Sequence, residues 1–167
     1  MKIQELLIIG FGLLIIAGLS LSFNYFQNVT TLNSANENLD EIISSSDIDV
    51  IHINLVELEH NLDLMMMNLP ENKNPVWLFP TETTNFLRMQ NDVDLLITRV
   101  DNISTIPKDS SAYHTWMIEI NNLSMILKDN LLDARGFISA SPANISFTLL
   151  WLIGVLGVTK MWLKNEN

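Results

Sequence analysis

Apolar residues follow two different patterns along this chain. At each end they form a run without any charged residue, 21 residues long at 6–26 and 15 residues long at 145–159. Between these runs they recur every three or four residues among polar and acidic side chains. An uninterrupted apolar run is typical of a helix in lipid, whereas a 3-4 spacing gives a helix one buried face. The pattern therefore predicts two membrane-spanning helices that enclose a helical domain.

The lengths of the two runs support membrane crossing. At about 1.5 Å per residue the first helix is about 31 Å long, which matches the roughly 30 Å hydrocarbon core of a bilayer. The second run is extended because the stems of Lys160 and Lys164 can lie along apolar helix while their ammonium groups reach the headgroups. We predict transmembrane helices at 6–26 and 145–163. The first is interpreted as a retained anchor, because it exceeds the roughly 7–15-residue apolar core of a cleaved secretory signal.

The distribution of charge predicts which side of the membrane each part occupies. Lysines flank the two spans, whereas residues 27–144 contain 17 acidic and 6 basic side chains. Lysine beside a span favours the cytoplasmic side. We therefore expect a two-pass protein of the cell membrane, with residues 1–5 and 164–167 in the cytoplasm. Residues 27–144 then form an extracytoplasmic domain.

The central segment contains four stretches with 3-4 apolar spacing, which predict four helices. The first stretch continues directly from the N-terminal span. The apolar positions on one side of each stretch are Val29, Leu32, Ala35, Leu39 and Ile42; Ile51, Leu55, Leu58, Leu62, Met65 and Leu69; Phe86, Met89, Val93, Leu96, Val100 and Ile103; and Met117, Ile120, Leu123, Leu127, Leu131, Ala134 and Ile138. Short connections favour antiparallel neighbours. The predicted fold is all-α, with two transmembrane helices enclosing an extracytoplasmic antiparallel four-helix bundle.

Polar residues and prolines mark the boundaries of these helices. Asp47 follows three serines and offers an N-cap oxygen to the second helix. Thr81 or Thr83 is expected to cap the third helix, after a connection that contains three prolines. Pro142 is expected to interrupt the last helix of the bundle before the second span.

The charge and composition of the domain exclude one class of partner. With 17 acidic and 6 basic residues, the segment 27–144 has a net charge of −11 and would be repelled by phosphate backbones. We therefore predict no nucleic-acid binding, and we expect the lipid bilayer and other integral-membrane subunits as partners. The chain has no cysteine, so its fold uses no disulfide.

One pair of residues resembles part of a metal site. Glu57 and His60 form a Glu-x-x-His pair on one helix face, and di-iron bundles use two such pairs with two further glutamates. The second pair is missing here, which favours solvated charges on the outer face of the helix. A metal-binding bundle remains an alternative. No nucleophile and base can be assigned from the sequence, so we expect no enzymatic activity and no cofactor.

An aromatic loop is a candidate contact with a partner. Trp77 and Phe79 lie between two prolines in the longest connection, which we place at the far end of the expected bundle. Such aromatic residues are frequent interface anchors. The alternative is that they fold back and cap the core of the bundle.

Small residues in the spans are a second candidate contact. Gly18 and Ser22 are four residues apart in the first span, and Gly154 and Gly157 lie beside Trp151 in the second. Small residues allow close approach of membrane helices. The surfaces can serve contacts with another subunit, or the two spans can pair with each other.

Asparagine sequons are also present in the domain. Asn102 and Asn122 each begin an Asn-x-Ser triplet away from the predicted membrane. Such triplets are acceptors for N-glycosylation on an extracytoplasmic surface. We regard these two residues as candidate glycosylation sites.

Three functions are compatible with these features. The first is a non-catalytic accessory or structural subunit of a larger membrane protein complex, which docks through its spans and presents its bundle outside. The second is an extracytoplasmic sensor of a small ligand. The third is a metal-binding bundle.

The chain resembles two known families. The order of span, helical bundle and span over residues 6–163 resembles the ligand-binding region of bacterial chemoreceptors, although their cytoplasmic signalling region is missing here. The paired spans, the acidic helical domain and the asparagine- and isoleucine-rich composition are similar in style to accessory subunits of the archaeal ammonia monooxygenase, a copper membrane enzyme. That resemblance implies that the catalytic copper belongs to other subunits, and that this chain braces them or shapes access to them.

Overall fold

The computed structural model describes residues 3–67, 69, 71–76, 79–139 and 142–166, and this part of the chain is helical without any β-strand. The five helices are α1 (Ile3–Ser44), α2 (Ile48–Met66), α3 (Phe86–Ile103), α4 (Ser111–Ser139) and α5 (Pro142–Glu166). A short 3-10 turn, Glu82–Thr84, precedes α3. The prediction of an all-α fold is confirmed for the described residues.

The chain divides into two compact units. The terminal unit contains Met1–Gln27 and Ser139–Asn167, and the central unit contains Asn28–Ile138. Helix α1 contributes residues to both units. The connection between α4 and α5 is short and includes Ala140 and Ser141, which lie outside the described residues.

The terminal unit contains helical stretches of membrane-spanning character. By length and composition, Ile8–Ser44 and Asn144–Lys164 include segments that are long and apolar enough to cross a membrane. Many of their apolar side chains are exposed, among them Ile15, Leu19 and Leu156. Exposure of this kind is unfavourable in water, because removing apolar surface from water is worth about 25 cal/mol per Å². The chain therefore has two candidate membrane-spanning helices at the ends where the apolar runs predict them.

The turn between α1 and α2 is closed by local hydrogen bonds. The backbone N–H of Asp49 donates to Oδ1 of Asp47 over 3.0 Å, so Asp47 is the N-cap of α2 as predicted. The backbone N–H of Asp47 in turn donates to Oγ of Ser45 over 3.0 Å. These bonds occupy backbone donors that a helix start leaves unpaired. A turn of three residues reverses the chain, so α1 and α2 are antiparallel neighbours.

The longer connection between α2 and α3 is organised by one buried asparagine. Nδ2 of Asn74 donates to the carbonyl oxygen of Thr81 over 2.8 Å. Its Oδ1 accepts from the backbone N–H of Val76 over 3.0 Å and from Oγ1 of Thr84 over 3.1 Å. A buried amide with these partners fixes the path of a loop, because breaking the bonds leaves buried polar groups unpaired.

The start of α3 differs from the sequence-based expectation. Its N-cap is Asn85, whose Oδ1 accepts from the backbone N–H of Leu87 over 2.9 Å and from that of Arg88 over 3.3 Å. The expectation that Thr81 or Thr83 caps α3 is therefore wrong. Thr81 instead caps the 3-10 turn in a reciprocal arrangement with Thr84. The polar residue immediately before the first buried position of α3 takes the capping role.

One hydrophobic core joins four helical segments of the central unit. The segments are the end of α1, all of α2 and α3, and α4. Their side chains meet around a gap of about 10 Å³ lined by Leu39, Leu58, Leu62, Met89, Val93, Leu127 and Leu131. All six apolar positions predicted for α3 are buried. In α4, Met117 and Leu123 are only partly buried and pack against the core. The 3-4 spacing thus identifies most of the core correctly.

Side-chain hydrogen bonds connect successive helices of the central unit. Each contact joins a different pair of helices: Asn61 of α2 donates to Ser34 of α1, Gln90 of α3 to Asp63 of α2, Arg99 of α3 to Glu119 of α4, and Lys128 of α4 to Asp40 of α1. Each segment therefore has two neighbours joined to it by side-chain hydrogen bonds. Helix α2 lies beside α1 and α3, and α4 lies beside α3 and α1.

Candidate functional site

Two of the predicted small residues of the spans, Gly18 and Gly154, lie at the contact between α1 and α5. A Cβ atom added to Gly18 would lie 3.2 Å from Nε1 of Trp151, and a Cβ atom added to Gly154 would lie 2.8 Å from Cδ2 of Leu14. These glycines allow the two helices to approach closely. The structure therefore brings Gly18, Trp151 and Gly154 together between the two helices of the terminal unit.

A hydrogen bond between the two helices accompanies this close approach. Nε1 of Trp151 donates to the backbone carbonyl oxygen of Leu14 over 2.7 Å. In lipid the indole N–H has no water to bond, so a protein acceptor is favourable. Phe11 and Trp162 add an edge-to-face ring contact with centroids 6.1 Å apart. The pattern of small residues in the sequence did not point to Leu14, Phe11 or Trp162.

The remaining predicted residues of the spans have other surroundings. Oγ of Ser22 donates to the carbonyl oxygen of Gly18 over 2.9 Å, a bond within its own helix. A Cβ atom added to Gly157 would meet nothing within 4 Å, and the same holds for Gly12. The structure gives these two glycines no packing partner that requires a small residue.

The structure describes one of the two aromatic residues that were predicted to contact a partner. Trp77 lies outside the described residues, whereas Phe79 is described and is 87% exposed. Phe79 has a backbone φ of 57°, in the left-handed region that non-glycine residues rarely occupy. Because its side chain is exposed, Phe79 does not cap the core. Contact of Phe79 with a partner stays a prediction.

The position of this loop differs from the expectation. Helix α2 returns antiparallel to α1, and Asn61 near its end is level with Ser34 near the start of the central unit. The loop follows α2 and therefore lies at the end of the central unit where the chain enters at Asn28. The expected far end is instead formed by the α1–α2 turn and the α3–α4 turn. Because successive antiparallel helices alternate in direction, the connection after the second helix returns to the end where the first helix begins. The sequence could therefore have placed the loop correctly.

The candidate metal residues do not belong to a larger ligand cluster. Glu57 and His60 are both exposed on α2. Among the described residues, no group of three or more histidine, aspartate or glutamate side chains is arranged to hold a metal ion. His52 and Asp101 form a pair, in which Nε2 of His52 lies 3.4 Å from Oδ1 of Asp101.

The two candidate glycosylation sites are both on the surface. Asn102 is exposed in the last turn of α3, and Asn122 is exposed in α4. The backbone carbonyl of Asn102 accepts from Oγ1 of Thr105 over 2.7 Å, which closes the end of the helix. A glycan on either side chain would extend into solvent. Glycosylation at these residues stays a prediction.

A surface of α4 was not anticipated from the sequence. Ile118, Met125 and Leu132 are exposed and recur at every seventh residue, on the side of the helix opposite its buried positions. We call these three residues the α4 outer stripe. The signal was present, because a spacing of seven residues keeps side chains on one helix face. It was hidden by the buried stripe of the same helix.

The central unit also contains a cleft near the α1–α2 turn. It has a volume of about 150 Å³ and is lined by Ile42, Ser45, Ile51, Met117, Ile118, Ile120 and Asn121. Nδ2 of Asn121 donates to the carbonyl oxygen of Ile43 over 3.3 Å, whereas its buried Oδ1 has no partner. The cleft thus combines apolar walls with one side chain that has an unused acceptor.

Comparisons of the chain with protein families, curated proteins and solved structures gave no match.

Proposed function

We propose that this chain is a non-catalytic accessory subunit of a larger membrane protein complex. In this proposal its two spans cross the cell membrane with both termini in the cytoplasm, as the flanking lysines indicate. The four helical segments of the central unit form an extracytoplasmic antiparallel four-helix bundle. The shared core and the hydrogen bonds between successive helices support that arrangement.

The observation that carries the proposal is the exposed side chain of Phe79. The side chain is 87% exposed, while Asn74, five residues earlier, is held by three hydrogen bonds. A large aromatic side chain that is exposed is a frequent interface anchor, because a partner that covers it removes apolar surface from water. Backbone strain at an exposed aromatic residue also points to a functional surface. We assign Phe79 to contact with another subunit of the complex.

The first test is purification of the full chain from its native membrane after mild detergent extraction. We expect other integral-membrane subunits to copurify in a fixed ratio, measured by native mass spectrometry. A monodisperse preparation that contains this chain alone would contradict the proposal. Binding of a small ligand by such a preparation would favour the sensor function instead.

A substitution at Phe79 tests the contact itself. Phe79→Ala should reduce recovery of the partner subunits by about tenfold, since loss of an interface anchor commonly costs more than 1 kcal/mol. The thermal unfolding midpoint of the isolated chain should not change, because the side chain is exposed. Leu95→Ala on α3, also at an exposed position, is the matched control and should retain the partners. Unchanged assembly with lowered thermal stability would assign Phe79 to the fold.

The type of complex is proposed from the resemblance described above. If the complex is a copper membrane monooxygenase, the copper is held by other subunits and this chain supports them. Metal analysis should then find copper in the intact complex and less than one equivalent in the separated chain. Stoichiometric copper or iron in the separated chain would favour the metal-binding bundle.

Sensing of a small ligand is the second candidate function. The cleft that includes Asn121 favours it, because a buried acceptor without a partner can bind a ligand donor. The matching ligand is small and apolar and carries one hydroxyl or amine group. This candidate requires a change in the spans on binding, which cross-linking between α1 and α5 can detect.

A further inference from the structure

The α4 outer stripe is an apolar surface on a domain with a net negative charge. Ile118, Met125 and Leu132 are 62%, 52% and 41% exposed, respectively. At about 100° per residue, they lie on nearly the opposite side of α4 from the buried Ile120 and Leu127. Three large apolar side chains spaced by seven residues form the type of stripe that packs against another helix. The core of the central unit does not use them.

The two edges of this stripe carry opposite charges. Lys128 and Arg135 lie on one edge, and Asp129 and Asp133 lie on the other. Contacts with the neighbouring helices show which way each edge faces. Lys128 contacts Asp40 of α1, whereas Glu119 contacts Arg99 of α3. The basic edge therefore faces toward α1, and the acidic edge faces toward α3.

The charge pattern is complementary to itself in only one orientation. When two copies of α4 pack in parallel about a two-fold axis along the helices, the basic edge of each copy faces the acidic edge of the other. In an antiparallel pair, the two-fold axis crosses the helices and places basic edge against basic edge. Opposite charges across an interface favour association, and like charges oppose it. The stripe therefore fits a second copy of this chain in parallel orientation.

We infer that the α4 outer stripe is a homodimer interface, in which two copies of this chain pack in parallel through Ile118, Met125 and Leu132. A parallel seam also aligns identical residues, so that each Met125 meets the Met125 of the other copy. The inference rests on the central unit and holds with or without a further complex.

Cysteine cross-linking in membranes tests the parallel arrangement. The chain has no cysteine, so single substitutions report one position each. Met125→Cys and Ile118→Cys should each form a disulfide-linked dimer on mild oxidation, because a symmetric seam brings equal positions together. Thr98→Cys, at an exposed position on α3, is the matched control and should give only background dimer. Dimer formation at Met125→Cys no greater than at Thr98→Cys would overturn the inference.

A mixture of two variants tests the orientation. Coexpression of Ile118→Cys with Leu132→Cys, carrying different tags, should give disulfides between identical chains only. Disulfides mainly between the two different variants would show an antiparallel pair and overturn the inference. Purified wild-type chain in detergent should show a concentration-dependent dimer by analytical ultracentrifugation. A monomer under these conditions, with the stripe protected only in the presence of another subunit, would assign the stripe to that subunit instead.

Charge reversal tests the contact between the edges. Arg135→Glu should raise the dissociation constant of the dimer by about tenfold, because it places like charges across the interface. Asp133→Arg should do the same. The double variant should restore affinity to near the wild-type value, since the edges are again opposite in charge. Equal weakening in the double variant, with unchanged thermal unfolding of each chain, would contradict the paired edges.

Discussion

Replacing Phe86 with alanine is expected to destabilise the central unit by about 3–5 kcal/mol, as is typical of a buried phenylalanine. Phe86 is 0% exposed and belongs to the core shared by four helical segments. It is also the first residue of α3, and its backbone N–H donates to the carbonyl oxygen of Lys73 over 3.0 Å. The substitution removes the side chain where the loop joins the core. The measurement is chemical unfolding of the full chain in detergent, followed by circular dichroism.

The adjacent residue provides the control. Leu87 is 49% exposed and lies on the outer side of the same helical turn. Leu87→Ala should change the free energy of unfolding by less than about 1 kcal/mol, because most of its surface is already in contact with solvent. Equal effects of the two substitutions would show that Phe86 is not in the core.

Replacing Gly18 with isoleucine is expected to separate the two helices of the terminal unit. A Cβ atom at this position would lie 3.2–3.3 Å from three atoms of the Trp151 side chain, and the rest of an isoleucine side chain has no room. Crowding of this kind costs about 1–3 kcal/mol. Moving Trp151 also breaks its hydrogen bond to Leu14. Hydrogen bonds between membrane helices contribute about 0.6 kcal/mol on average.

Disulfide formation between the two helices measures this separation. A Cβ atom at Gly10 would lie 3.6 Å from Cγ2 of Val158, so the double variant Gly10→Cys, Val158→Cys reports the pairing. Adding Gly18→Ile should slow disulfide formation by about tenfold, the factor that corresponds to about 1.4 kcal/mol. Gly12→Ile is the matched control, because a Cβ atom there meets nothing within 4 Å. If both substitutions slow the reaction equally, close approach at Gly18 is not what joins the helices.

The core of the central unit could be predicted because its spacing is local. In α3 every third or fourth residue is apolar and the others are mostly polar, so a single buried side is visible in the sequence. In α4 apolar residues occur on more than one side. Ile120 and Leu127 are buried, whereas Ile118 and Met125 are exposed. A list of apolar positions cannot separate two such stripes, because the choice depends on where the neighbouring helices lie.

The contact between α1 and α5 could be predicted only in part, because it also depends on where the neighbouring helix lies. Glycines in the spans are visible as small residues, but which of them need to be small depends on the facing helix. Gly18 and Gly154 face Trp151 and Leu14, respectively, whereas Gly157 faces open space. The connection between α2 and α3 could not be predicted in detail from the sequence either. Asn74 is one of several asparagines in the connection, and only the folded loop shows that its amide joins Val76, Thr81 and Thr84.

The sequence by itself determined that this chain is helical, where its helices and apolar end segments are, and which residues form most of the buried core. These properties follow from helix periodicity and from the length of the apolar runs, which are local along the chain. The tertiary structure decided that Gly18 packs against Trp151, that Phe79 is exposed and that α4 has an outer apolar stripe. Each of these depends on residues distant in sequence, because a side chain is buried or exposed only with respect to the helices that pack around it.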